Sequence, residues 1–194
     1  MQPYELITGV GRLYIAPVGT AFPDLDDTPG AAWRDMGPTE DGVSVNLDQK
    51  IDEHRVDQET GPIEATRSEE NLTIETTLPS ATLENLADVL GGTVEDTAPG
   101  AGLIGTREVP LYRGKTVKKF SLLFRGETAS SYGEGMPGQY EIPRGYFGGT
   151  TGLKDTKDGH RAIGVEFHAL VDPSASSDGE KFGRLIMQDA EATS

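Results

Sequence analysis

The side chains that could do chemistry are three histidines and many carboxylates, and their spacing predicts no catalytic or metal-binding site. His54, His160 and His168 are far apart and lack the close spacing of a metal-binding motif. Neighbouring acids such as Asp52 and Glu53 lie among polar residues. Acid–base catalysis by paired carboxyls needs one of them in an apolar pocket. We therefore expect no enzyme activity, no metal and no cofactor.

The short motifs of the chain lead to the same expectation. GVGRLY from Gly9 and GEGMPG from Gly133 lack the strand-to-helix context of a nucleotide-binding loop. No serine lies in a nucleophile-elbow pattern. The absence of cysteine excludes disulfides and thiolate metal sites. The first eleven residues do not read as a secretory signal, so we expect synthesis in a cytoplasm.

The composition of the chain argues against two classes of binding partner, nucleic acids and membranes. The formal net charge of -15 argues against binding nucleic acid by phosphate neutralisation. No apolar run approaches the roughly 18–20 residues that cross a bilayer, so we expect no membrane partner. A hydrophobic content of 35% with 25 glycines and 12 prolines favours a β-rich domain with long loops.

The stretch from Glu40 to Leu78 is the most informative part of the sequence. Apolar and polar residues alternate over 43–48 and again over 69–78, which predicts two strands with one buried face and one wet face. The residues between them offer almost nothing to bury. We therefore predict a long hairpin loop over 49–68 that becomes ordered only against another subunit.

Alternation also assigns the two faces of this hairpin. If Val43, Val45, Leu47, Leu72 and Ile74 face the core, the opposite face is polar, small and acidic, and suits the lining of a water-filled channel. The candidates for this lumen-facing surface are Ser44, Asn46, Asp48, Glu69, Asn71, Thr73 and Glu75.

The rest of the chain adds strands and one helix. Strands are predicted over 9–17, 32–36, 117–126, 140–147, 161–172 and 181–187, the fourth interrupted by Pro143 as in an edge or bulged strand. The stripe Leu83, Leu86 and Leu90 predicts a helix over 81–90. We expect one domain over 1–194, a β-sandwich or partly closed barrel flanked by that helix, with an N-terminal arm 1–8 and a flexible tail 188–194.

Acidic and basic residues are separated along the chain. One interpretation is two solvated faces that differ in charge, and the other is that the acidic projection of one molecule meets a basic belt on its neighbour in a ring or filament. The second interpretation gives these inter-subunit candidates: Asp52, Glu53, Arg55, Asp57, Glu59, Glu64, Arg113, Lys115, Lys118 and Lys119.

The order of these segments resembles that of a known family. The segments are GVGRLYIAPVGT, AAWRDMGPTEDGVSVN, the acidic hairpin, SATLENLADVLGG, KFSLLFRG, YEIPRGYF and VEFHALVDPS. In this order they are similar to bacteriophage major tail proteins, the tail tube proteins of long, non-contractile phage tails or of a related prophage or gene-transfer particle. The resemblance covers most of the chain, although no single motif is diagnostic.

The resemblance implies a structural virion protein. Such proteins self-assemble as hexameric rings that stack into a tube, and an acidic lumen conducts double-stranded DNA from capsid to host without specific binding. The implied partners are further copies of the chain, the tape measure protein, and the tail terminator and distal tail proteins. The implied location is the virion tail, assembled in the cytoplasm of the bacterial host.

Two alternatives remain open at this point. One is the tube protein of a contractile tail or a secretion machine. The other is a monomeric carbohydrate- or ligand-binding β-sandwich, such as a virion decoration domain, which would need a concave aromatic patch. The available rings are Trp33, Tyr112, Tyr132, Tyr140 and Tyr146, scattered over strands and loops.

Overall fold

The computed structural model describes residues 11–154 and 161–191, and within them the chain is mainly β. The predicted arm 1–8 and the last residues of the predicted tail lie outside the described residues. The elements are β1 (Gly11–Pro17), β2 (Arg34–Pro38), β3 (Glu40–His54), β4 (Glu64–Leu78), α1 (Leu83–Leu90), β5 (Glu95–Thr97), β6 (Thr106–Glu108), β7 (Phe120–Gly126), β8 (Gly138–Gly148), β9 (Leu153–Lys154), β10 (Ala162–Ala169) and β11 (Arg184–Met187).

Nine of these strands form one antiparallel sheet in the order β2-β1-β7-β8-β10-β4-β3, with β11 added to β8 and β9 to β10. Strands β5 and β6 form a separate two-stranded sheet. The prediction of a mainly β fold with one flanking helix is confirmed. The sheet is large and open, and the described residues form no closed barrel.

Strand β8 lies at the centre of the sheet and changes partner along its length. Its first half pairs with β7 and β11, and Gly145–Gly148 pairs with β10. Pro143 lies between the two halves, beside a register shift in β7 between Phe120 and Leu122. The prediction of a bulge at Pro143 is therefore confirmed, whereas the prediction of an edge strand is wrong. The missing N–H of proline is tolerated where the pairing already shifts.

The core lies between this sheet and α1. Alternating residues of the strands, such as Leu13, Ile74 and Leu122, are at most 1% exposed, and Leu86 and Val89 of the helix pack into the same cluster. The helix begins two residues later than predicted because Thr82 provides the N-cap and accepts from the backbone N–H of residue 85.

The β3–β4 hairpin extends well past the core, and the predicted loop 49–68 is too long. The register continues from Gln49 opposite Glu70 to His54 opposite Glu64, so the connection is only 55–63. Backbone pairing needs no apolar side chain, and polar residues pair across this part of the hairpin. We call residues 47–70 the ribbon. All of its side chains are exposed, including Leu47 at 69%, which was expected in the core.

Candidate functional site

A polar surface crosses four adjacent strands, β3, β4, β10 and β8. Residues directly opposite each other in neighbouring strands point to the same face of a sheet, so register defines rows. One row contains Ser44, Glu75, Glu166 and Gly148, and the next contains Asn46, Thr73, His168 and Tyr146. The intervening residues Ile74, Val165 and Phe167 are buried on the other face. This polar face is the candidate site.

The structure brings the seven predicted lumen-facing residues onto this face. Ser44, Asn46 and Asp48 lie on β3, each opposite one of the predicted residues of β4. The remaining predicted residue of β4, Glu69, lies opposite Lys50 of β3. The members opposite each other on the two strands are Ser44 with Glu75, Asn46 with Thr73, and Asp48 with Asn71. Their placement on one surface follows from the register, and their role in a lumen stays a prediction.

Short polar contacts organise the β3–β4 part of the polar face. The amide of Asn46 donates to Glu75 Oε1 at 3.0 Å. Lys50 Nζ is 3.5 Å from Glu69 Oε1, and both side chains are 62% exposed. An ion pair this exposed contributes little to stability, about 0–1 kcal/mol. These side chains therefore remain available to solvent.

Strand β10 supplies polar residues that the sequence reasoning did not assign to the site. His168 Nε2 lies 2.8 Å from Glu166 Oε1, and the His168 ring stacks on Tyr146 with ring centroids 5.3 Å apart. The outward parity of His168 was visible in the alternation of its strand. Only the pairing of β10 with β4 brings His168 beside Thr73, and no local pattern encodes that register.

The polar face includes a shallow acidic depression. A depression of about 330 Å³ is lined by Glu40, Glu75 and Glu166 together with uncharged residues. In the described part of the chain, no group of three or more His, Asp or Glu could hold a metal ion. Over the same residues, no helix is long and apolar enough to cross a membrane.

The inter-subunit candidates lie on two separate exposed segments. The acidic candidates and Arg55 lie on the ribbon, and the basic candidates Arg113, Lys115, Lys118 and Lys119 lie between β6 and β7. Arg55 pairs with Glu53 at 2.7 Å. Within the described residues no ion pair joins the two segments of one chain. Their contact between subunits stays a prediction.

The aromatic rings named for a ligand-binding site are dispersed. Trp33 is 7% exposed and packs on Phe22, whereas Tyr140 packs on Phe124 and Tyr146 on His168. Exposed Tyr112 and Tyr132 take part in none of these ring contacts. These separate partners give no support to a concave aromatic patch.

Comparison with known proteins identifies the family of the chain. No curated protein matches the chain. A family model described as "Phage tail tube protein" matches residues 3–194, which is nearly the whole chain. The resemblance seen in the sequence is thereby confirmed, and the chain belongs to the phage tail tube protein family.

Proposed function

We propose that copies of this chain form rings, hexameric as the resemblance implies, that stack into the phage tail tube and conduct double-stranded DNA from capsid to host. Membership of the family supports a structural role in the virion tail. The proposal of a DNA-conducting tube rests on the polar face, which is continuous over four strands and lies opposite the buried core. In this proposal the face lines the lumen.

The chemistry of the polar face suits DNA passage. Double-stranded DNA carries about one negative charge per 1.7 Å of axis, so a basic lumen would hold it. The acidic side chains of the polar face, among them Asp48, Glu75 and Glu166, repel phosphates, and the neutral ones are small or polar. Lys50 on the same face is paired with Glu69. Contacts with the moving duplex then stay weak and reversible.

An edge of the sheet supports ring formation. Within the described residues strand β3 pairs only with β4, so its outer edge can offer backbone donors and acceptors to a neighbouring copy. A head-to-tail contact of this kind closes into a ring when the rotation between copies permits. The acidic ribbon and the basic segment 113–119 meet between copies in the same proposal.

Other proposed partners follow from a position in a tail. They are the tape measure protein inside the growing tube and the terminator and distal tail proteins at its ends, with assembly in the cytoplasm of the host. DNA passes without specific binding. A contractile tail or secretion tube remains the second candidate, because the same polar face would serve either tube.

Negative-stain microscopy of the purified chain tests the tube proposal directly. Rings or tubes of uniform width are expected as the protein concentration rises. A chain that stays monomeric at high concentration and ordinary salt would contradict the proposal.

Charge reversal tests the lumen assignment. In particles carrying Glu69→Lys and Glu75→Lys, we expect tubes to assemble and DNA ejection to be impaired, because lysines on the polar face would bind passing phosphates. The matched control is Glu127→Lys with Glu134→Lys, the same change in net charge at exposed sites between β7 and β8. Normal infectivity of particles with the first variant would contradict the assignment of the polar face to the lumen.

A further inference from the structure

Large exposed apolar side chains concentrate on two segments. Among the described residues, nine of fourteen such side chains lie on the ribbon or on residues 101–119, which we call the arm. The ribbon contributes Leu47, Ile51, Val56 and Ile63, and the arm contributes Leu103, Ile104, Leu111, Tyr112 and Val117. Scattered apolar residues are ordinary on a surface, but clusters mark interaction sites.

The arm is attached to its own subunit by polar contacts. Arg107 pairs with Glu84 at 2.7 Å and with Asp96 at 2.6 Å. Arg113 donates to the hydroxyl of Thr151 at 2.8 Å. The apolar side chains meanwhile face outward, where Leu111 and Tyr112 are 75% and 86% exposed. The arm therefore presents to solvent the surface that a chain ordinarily buries.

A groove of about 610 Å³ lies under the ribbon and is open to receive such side chains. Its apolar lining comes from Leu47 and Leu72 of the hairpin and from Val171 and Phe182 of the segment after β10. Leu47 and Val171 are 69% and 50% exposed, so the described residues of one subunit leave the groove unfilled.

Charge identifies the occupant as a second copy of this chain. Residues 101–119 carry five basic side chains and one acidic, a net charge of +4 in a chain of net charge -15. Residues 47–70 carry eight acidic and three basic side chains, a net charge of -5. Lys115 and Lys119 form no ion pair within the described residues. Opposite charges on two apolar surfaces favour their association in one register.

We infer that the arm of one subunit docks on the ribbon of a neighbouring subunit, with Leu111 and Tyr112 seated in the groove beside Leu47. The inference rests on the proposed tube function and assigns an apolar contact to its subunit interface. Burial of an aliphatic and an aromatic anchor supplies affinity, and the surrounding charges set the orientation.

Cysteine cross-linking tests this contact. The chain has no native cysteine that could give cross-links of its own. One batch carries Leu47→Cys and a second carries Leu111→Cys, and the two are mixed, assembled and treated with a short bismaleimide. We expect a cross-linked dimer in the mixture only after assembly. The control mixture pairs Leu111→Cys with Val18→Cys, an exposed site outside both segments, and should give none. Tubes without a Leu47–Leu111 cross-link would overturn the inference.

A second variant tests how much the proposed anchor side chains contribute to assembly. Leu111→Ser with Tyr112→Ser should leave the thermal unfolding of the monomer unchanged, and the concentration needed for assembly should rise about tenfold or more. Val18→Ser with Tyr132→Ser is the matched control, since it removes one aliphatic and one aromatic side chain exposed elsewhere. Unchanged assembly of the first variant in conditions where the wild type forms tubes refutes the inference and leaves the tube function standing. Failure of the wild type to form tubes refutes the function itself.

Discussion

At the scale of single residues, a buried polar network ties the centre of the sheet together. Glu141 of β8 is 3% exposed and accepts from the Gln139 amide at 2.6 Å and from Arg184 Nε at 2.8 Å. This hydrogen-bonded charge raises the pKa of the Arg184 guanidinium. Gln139 in turn donates to the carbonyl of Pro23 and accepts from Arg125. Three strands and the β1–β2 loop thus share one set of hydrogen bonds.

Removing the carboxylate from this network should be costly. We expect Glu141→Ala to lower the free energy of unfolding by about 2–3 kcal/mol, because it leaves the Gln139 amide short of a buried partner. Urea unfolding measures the change. The control is Asp178→Ala, which breaks an exposed pair with Lys181 and should leave the free energy of unfolding nearly unchanged. Equal effects of the two variants would contradict the importance of burial.

The carboxylate of Asp172 should show a lowered pKa. It accepts from the backbone N–H of Ser174 at 3.0 Å and from its hydroxyl at 2.7 Å, which holds the pKa below its ordinary value of 3.8. Since the folded pKa is lowered, the stabilisation is present above the ordinary value and is lost as pH falls through the folded pKa. NMR titration should find a higher midpoint in Ser174→Ala, which keeps only the backbone donor. The same midpoint in both proteins would contradict this cause.

At the scale of elements, one buried amide helps to attach α1 to the sheet. Asn85 donates from Nδ2 to the carbonyls of Met36 and Ser80, both at 2.8 Å, and accepts from Arg34 at 2.8 Å. The helix ends where Gly91 adopts a φ of 73°, a left-handed conformation that glycine accepts without strain. The position of the helix on the core therefore depends on polar contacts as well as on its apolar stripe.

The helix N-cap gives a prediction at this scale. Thr82→Ala should lower the free energy of unfolding by about 1 kcal/mol, since it leaves the backbone N–H of Asn85 without its partner at 3.2 Å. Thr82→Ser keeps a hydroxyl and should restore most of the loss. Thermal and urea unfolding of both variants provide the measurement. A serine variant as unstable as the alanine variant would point to packing of the threonine methyl group as the cause.

At the scale of the whole molecule, the sheet separates a buried side from a polar side across β3, β4, β10 and the second half of β8, and two segments extend from it. The ribbon and the arm bury little within the subunit and carry opposite net charge. Segments with few buried contacts open locally at low cost in free energy. In the proposed tube, the same segments gain their stability from neighbouring subunits.

Limited proteolysis reports this difference. In the monomer we expect trypsin to cleave first after Arg55, at the start of the nine-residue connection between β3 and β4, because that connection is exposed and lies outside the strand pairing. In assembled tubes we expect protection at Arg55. Mass spectrometry of the fragments identifies the site. Protection in the monomer would show that the ribbon is stable without a neighbour.

Much of this protein was predictable from its sequence, because strand alternation and helix periodicity are local patterns. They identified the mainly β class, the helix, the polar surface of the hairpin and, with the order of segments, the family. The length of the hairpin pairing was not predictable, since exposed polar strands lack the apolar signal on which such predictions depend. The short strands β5, β6 and β9 were missed for the same reason.

The tertiary structure alone decided which strands lie side by side. Pairing of β10 with β4 and β8 widens the polar face from two strands to four and adds Glu166 and His168 to it. Pairing between distant segments depends on how the whole core packs, which no local window contains. The sequence determined that a polar face exists beside the ribbon, and the fold decided how far that face extends.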